Sequence, residues 1–349
     1  MKRQLIWFIV IAFFVGAIGS IAIGRFALPA LSNVYGFGWV KNLTSSAPIV
    51  INRTEVVNIN EGANLIDLAK QAGNVTVGIF GPNNVFLGNG IVITSDGLIF
   101  SSNTILHGAT HVTVITNDGR KFAGLVRAKD PKSDLVVITV EARDLTVAQF
   151  ENASQLQPGQ RLVYIGRGNS QFQRLFGTGF VTQSLINSRS LQKVVTTSEF
   201  SEQVSSDVVV SADMWGGPIL NLNGKVVGMV IDNSRNIIAE NMQTALSAYL
   251  ASGKILRPHL GVRYLSLSTS LATVHNLPQA GSMVTMVEKG SPAEKAGLLA
   301  NDFIISIDGN NLDQESLERV LNRHAITDMR LTVLRAGKNI DLTVKLEEK

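Results

Sequence analysis

The chain has 349 residues, 45% of them hydrophobic and 17% charged, enough to bury more than one core, and its length favours two domains. Its 31 basic and 27 acidic side chains leave a formal charge of +4, spread without a Lys/Arg block or aromatic interleaving, which argues against a nucleic-acid surface. There is no cysteine, so disulfides, thiolate metal centres and a cysteine nucleophile are excluded.

From Leu5 to Ile23 the sequence carries no charge and follows Lys2 and Arg3. As a helix this stretch would be about 28 Å long, enough for the hydrocarbon core of a bilayer. It predicts one transmembrane signal anchor within residues 1–25, with the N-terminus cytoplasmic and the main domains extracytoplasmic, on the periplasmic or cell-surface side. Ala17-Ile18-Gly19 also suits signal-peptide cleavage, and either reading exports the chain. Residues 26–54, rich in Gly, Ser, Asn and aromatics without a period, read as a linker.

Residues 55–252 change to short β-branched runs punctuated by Ser95-Asp96-Gly97, Asn117-Asp118-Gly119 and Asn223-Gly224. Runs at 90–94, 112–115 and 226–230 have strand composition, and many short strands point to an antiparallel barrel or sandwich. Helical stretches stand out only near Ala63 to Ala72 and Asn241 to Ala251. Residues 257–349 form a separate α+β unit. Strands are predicted at 282–287, 303–307, 331–334 and 340–346, with a helix near 314–323. A short helix starts at Pro292, capped by Ser291 and stopped at Gly297.

Asp130-Pro131-Lys132-Ser133-Asp134-Leu135-Val136-Val137 resembles the catalytic-aspartate segment of the HtrA (high-temperature-requirement) serine proteases. The run Gly216-Gly217-Pro218-Ile219-Leu220-Asn221 resembles the segment that follows their serine. Tyr164-Ile165-Gly166 and Gly177-Thr178-Gly179-Phe180-Val181 fall between them in the family's order. The resemblance covers residues of about 60 to 347. It implies a mostly β fold: a trypsin-like double six-stranded antiparallel β-barrel over 55–252, then one PDZ domain over 257–349. It further implies a homotrimer built through the N-terminal part of the barrel.

In that family a serine attacks the scissile carbonyl, a histidine takes its proton, an aspartate orients the imidazole and backbone N–H groups hold the oxyanion. By this resemblance Asp134 matches the aspartate, Thr104 stands for the histidine, Trp215 for the serine, and Asp213 for an oxyanion-hole glycine. Threonine is no base near neutral pH and an indole no nucleophile, so no catalytic residue is expected to be intact. The expectation is therefore a catalytically degenerate pseudoprotease, not an enzyme, with Trp215 plugging the former specificity pocket or oxyanion hole. Asp134 is left to cap its own Asp-Pro turn.

No nearby group is expected to substitute. His107 lies one helical turn past Thr104, Ser205, Ser206 and Ser211 lack the position before the glycine turn, and His107 and His111 lack the rest of a zinc motif. No metal or cofactor is expected. Arg257-Pro258-His259-Leu260-Gly261-Val262 resembles the family's carboxylate-binding loop. This implies that His259, Leu260, Gly261 and Val262 receive peptide or protein C-termini on backbone N–H groups. The expected function is a membrane-anchored scaffold or regulator in protein quality control, with an active protease relative as a further partner. A serine-type endopeptidase with an unconventional active site, or a purely structural membrane scaffold, are the alternatives.

Overall fold

The computed structural model describes residues 61–348 other than 169–173, 184–193, 278 and 313–315, and also residues 7, 15 and 16. The chain divides into two units, 1–59 and 60–349, and all elements below belong to the second. Among the described residues no helix is long and apolar enough to cross a membrane, and the expected span over 5–23 lies almost wholly outside them.

Helix α1 (Glu61–Val75) leads into β1 (Thr76–Phe80), β2 (Phe86–Val92), β3 (Leu98–Ser102), β4 (His111–Ile115), β5 (Lys121–Lys129) and β6 (Leu135–Val140). The six strands close into an antiparallel barrel in the order β1-β2-β3-β6-β5-β4. Its interior is a layer of β-branched side chains, including Val77, Ile79, Ile99, Val114, Val136 and Ile138, all fully buried. Strand β6 is buried on both faces: Val136 and Ile138 point into the barrel, while Leu135 and Val137 join a second core with Val163, Ile165 and Met229. That is why Leu135–Val140 is a continuous apolar run rather than an alternating one.

A second antiparallel sheet has the order β10-β8-β7-β11-β12-β13. Its strands are β7 (Arg161–Arg167), β8 (Arg174–Gln183), β10 (Ser205–Ser206), β11 (Pro218–Asn221), β12 (Val226–Val230) and β13 (Asn236–Ile238); β9 (Val195–Thr196) lies outside it. It has the six strands expected of the second barrel, but among the described residues the sheet does not close. The short α2 (Asn103–Leu106) follows β3, and α3 (Ala239–Ser252) packs Met242 and Ala245 into the core shared by both sheets. Gly253, at φ 70°, ends α3 with its N–H on Tyr249 O at 2.7 Å.

The C-terminal part comprises β14 (Pro258–His259), β15 (Val262–Leu267), α4 (Thr269–Val274), β16 (Gly281–Val287), α5 (Pro292–Lys295), β17 (Phe303–Ile307), β18 (Asn310–Asn311), α6 (Leu317–Arg323), β19 (Asp328–Arg335), β20 (Lys338–Lys345) and β21 (Glu347–Glu348). The predicted Ser291 cap is present, its Oγ accepting the Glu294 N–H at 3.2 Å. The main sheet runs β20-β19-β17-β16-β15, and beside β15 it continues into β9, a segment from between β8 and β10.

Sheet and junction are locked by a buried charge. Arg257, with no exposed surface, sets Nη2 2.5 Å from Asp130 Oδ2, and donates to Asn322 Oδ1 and Asn241 O, both at 3.0 Å. The Phe200 ring lies 5.0 Å from the guanidinium carbon. Every strong donor direction of Arg257 is answered, which is the condition under which a buried ion pair is tolerable.

Candidate functional site

Three of the positions singled out in the sequence converge on the seam between the two sheets. Ser102 caps α2 by accepting the Thr104 N–H at 3.2 Å, and the Asn103 N–H donates to Asp134 O at 2.6 Å, which fixes Thr104 beside Asp134. Gly88 on β2 has room for no side chain, because a Cβ there would sit 2.8 Å from Ile105 of α2 and 3.0 Å from Trp215 O. The barrel thus carries Thr104, Asp134 and Trp215 to one place, as expected.

Residues 212–214 form a 3-10 turn threaded against the barrel. Asn89, buried in β2, donates from Nδ2 to Asp213 O at 2.8 Å and to Trp215 O at 3.0 Å, and its backbone N–H also reaches Trp215 O. Gly216 follows at φ 76°, and a Cβ would meet Asn89 O at 2.0 Å, so only glycine passes here. Within the turn the Met214 N–H donates to Ser211 O and the Trp215 N–H to Ala212 O. These N–H groups are turned inward, and in this conformation they do not face a developing oxyanion.

The Trp215 indole packs against the barrel core and the second-sheet core together, and its Nε1–H donates to Asn233 Oδ1 at 2.9 Å. Beside it lies a cavity of about 250 Å³ whose walls include Tyr164, Ser206, Val208, Val230 and Asp232. Trp215 does not line this cavity. The expectation that it plugs the pocket is therefore corrected: two apolar cores and the Asn233 carbonyl draw the indole into the seam instead.

Asp134 has also taken a partner that the sequence did not suggest. Its Oδ2 lies 2.7 Å from Arg235 Nη1, and Arg235 Nε donates to Asp232 Oδ2 at 2.7 Å. Burial opposes the charge on Arg235, but the Asp232 and Asp134 carboxylates outweigh it and hold its pKa above the usual value. Burial likewise pushes Asp232 up, yet the Ser234 N–H and Arg235 hold it below the ordinary carboxylate range. A guanidinium fills the place at Asp134 that an imidazole would need, and it accepts no proton. The capping role expected of Asp134 belongs to Asp130, whose Oδ1 accepts the Lys132 N–H, and to Ser133, whose Oγ accepts the Leu135 N–H.

Hydroxyls supply the remaining chemistry. Ser206 Oγ lies 2.8 Å from Tyr164 Oη in the cavity wall, and burial pushes the Tyr164 phenol above its usual pKa. Ser234 Oγ donates to Asp232 Oδ1 at 3.0 Å. His107, left-handed at φ 47°, ends α2, and His111 begins β4, so the two histidines do not share a helix face. The Tyr164–Ser206 pair and Arg235 were missed in the sequence, where the first is separated by 42 positions and the second sits in an ordinary turn.

In the C-terminal part, Gly261 stands at φ 79°, where a Cβ would come within 2.2 Å of Ser291 Cβ. That close approach lets Glu288 N–H donate to Gly261 O and Ala293 N–H to Leu260 O, so the loop of His259, Leu260, Gly261 and Val262 is clamped onto α5 and the end of β16. His259 Nε2 lies 3.7 Å from Glu288 Oε2. The loop opens directly onto β15, which pairs with β16 on one side and with β9 on the other.

Comparison with known proteins matches residues 88–229 to a trypsin-like peptidase domain and 258–346 to a PDZ domain. A probable periplasmic serine endoprotease DegP-like from Chlamydia trachomatis is 29% identical over 277 residues, 75% of this chain and 54% of that protein. A probable periplasmic serine protease do/HhoA-like from Haemophilus influenzae is 29% identical over 75% of this chain and 58% of its own length. The chain spans little more than half the length of these relatives. In fold it is similar to the HtrA-type protease AlgW with tripeptide, at TM-score 0.65 and 20% identity, covering 82% of this chain and 97% of that one.

These relatives overturn the expectation that the chain is not an enzyme, since proteins aligned with three quarters of it are named serine proteases and endoproteases. The expected inactivity came from three positions, Thr104, Asp213 and Trp215, whereas the likeness extends over three quarters of the chain. The chain therefore carries a trypsin-like peptidase domain followed by one PDZ domain, and in sequence and fold it is similar to periplasmic serine proteases of DegP and HtrA type.

Proposed function

We propose that this chain is an extracytoplasmic protein of HtrA type, held at the membrane by residues 5–23. Its PDZ domain binds polypeptide C-termini, and its trypsin-like domain acts as a serine-type endopeptidase through an unconventional active site in protein quality control. The observation that carries the binding half is the loop of His259 to Val262 clamped by Gly261 at the head of β15, whose outer side takes an antiparallel segment. Its donors are backbone groups, so the chemistry does not depend on side-chain identity.

The endopeptidase half rests on the relatives, which are named as periplasmic serine endoproteases. In the cavity beside Trp215, Ser206 Oγ pairs with the Tyr164 phenol, and Ser234 Oγ with the Asp232 carboxylate; the phenol is the partner whose pKa is raised. A phenol with a raised pKa is a proton acceptor only at alkaline pH, so hydrolysis by this pair climbs with pH and shows no plateau near 7. The Trp215 N–H must also leave Ala212 O to serve an oxyanion.

The test is incubation of the purified extracytoplasmic part with unfolded casein and a fluorophosphonate probe, followed by peptide mapping. Cleavage that rises from pH 7 to 10, with the label on Ser206, is the expected result. Absence of both labelling and cleavage would overturn the endopeptidase half and leave peptide binding standing.

A further inference from the structure

The edge of β15 that would receive a peptide is already paired. Strand β9 lies on it antiparallel, with Thr196 opposite Arg263 and Val195 opposite Tyr264. The Thr197 N–H donates to Val262 O at 3.0 Å, and the Val262 N–H donates to Thr197 Oγ1 at 3.1 Å. Val195 and Thr197, on one face of the segment, are 7% and 2% exposed, and Val195 belongs to the same core as Leu260, Val262 and Leu321 of α6. The segment therefore runs towards the loop of His259 to Val262, buries alternate side chains, and ends with a hydroxyl oxygen on a loop N–H. This is the polarity and pattern of a bound C-terminus, supplied from between β8 and β10 of the other domain.

We infer that residues 195–197 are an internal ligand of the PDZ groove, which external C-termini must displace. The inference rests on the peptide-binding reading above. The continuation of the segment strengthens the hold: the Glu318 carboxylate on α6 accepts the Ser201 N–H and hydroxyl and the Glu202 N–H, while Arg319 Nε donates to Glu202 Oε2 at 2.8 Å. A tethered strand competes at high effective concentration, so a free peptide binds with its intrinsic affinity reduced by the small fraction of open groove. The occupant also names the ligand class. It is a C-terminus whose last residue is small and β-branched, with an apolar β-branched residue two positions before it, as in Val195-Thr196-Thr197.

The test uses a fluorescein-labelled decapeptide with the sequence of residues 188–197 and a free C-terminal carboxylate, titrated against the extracytoplasmic part by anisotropy. Val195→Asp puts a carboxylate into the groove core and should release the strand, so it should bind the peptide at least about tenfold tighter than the unsubstituted protein. Thr197→Ala, which keeps Val195 and removes the acceptor for the Val262 N–H, should show a smaller gain. It serves if circular dichroism shows Val195→Asp unfolded. Hydrogen exchange on the unsubstituted protein at saturating peptide should show residues 195–197 losing protection. Equal affinities with unchanged protection would overturn the internal ligand and leave peptide binding intact. Binding by none of the three proteins would overturn both readings.

Discussion

The seam beside Trp215 and the strand β15 are built from different materials, the first from side chains and the second from backbone groups. At the seam the geometry is set by side chains: the Trp215 indole donates to Asn233 and Arg235 pairs with Asp134. At β15 the geometry is set by backbone groups: Gly261 shapes the loop, and the strand is paired by β16 and β9. A substitution erases a nucleophile in one step, whereas a row of N–H groups is lost only when the chain changes its path. The contrast also separates two carboxylates four residues apart, Asp130 buried at the domain junction and Asp134 half-buried at the seam.

The sharpest way to break this comparison is at those two carboxylates. Asp130→Ala leaves Arg257 buried without its partner and should cost about 3–5 kcal/mol in urea unfolding. Asp134→Ala breaks a pair with the half-exposed Arg235 and should cost no more than about 1 kcal/mol. Similar costs for the two would mean that the junction is not the tight element described.

Next in size is the indole. Trp215→Ala removes a half-buried group that touches both cores and should cost about 2 kcal/mol, somewhat under the range for fully buried aromatics. Trp215→Ser should leave the hydrolysis rate unchanged, because Thr104 supplies no base and the 215 N–H stays turned to Ala212 O. A gain in casein cleavage by Trp215→Ser would show that a base stands near position 215 after all.

The smallest effect concerns the latch on the internal strand. Burial and the neighbouring Glu202 carboxylate raise the pKa of Glu318, against the donors of Ser201 and Glu202 that lower it. A raised folded-state pKa makes the contribution of this group fullest below the ordinary glutamate pKa, and it fades as pH rises through the raised value. Stability should therefore fall as pH rises above the ordinary glutamate pKa, by at most about 1.4 kcal/mol per pH unit, and Glu318→Gln should flatten that slope. An unchanged slope in thermal melts would assign the pH dependence to another group.

Much of this architecture was legible in the sequence because local signals agreed with the fold. The helices expected near Ala63 to Ala72 and Asn241 to Ala251 are the cores of Glu61–Val75 and Ala239–Ser252, and the strands at 226–230 and 303–307 match their predicted bounds. The Ser291 cap was readable from Ser291-Pro292 alone. Strand β15 was read only as a loop continuing from Gly261, since Val262 to Leu267 has no clean alternation until its pairing with β9 and β16 is known. The Arg235 pair with Asp134 was hidden for the same reason. It joins residues a hundred positions apart, and no local pattern encodes such a contact. Position 215 drew notice only through the family resemblance, and the direction of its side chain depends on two cores and on Asn233, which only the fold brings together.

The central claim is that backbone N–H groups of residues 259–262 receive a C-terminal carboxylate. It is tested most directly by comparing the decapeptide of residues 188–197 with its C-terminal amide on the Val195→Asp protein. The free acid should bind at least about tenfold more tightly than the amide, since charge-assisted hydrogen bonds are roughly twice as strong as neutral ones. Equal affinity for acid and amide would contradict the assignment of that loop.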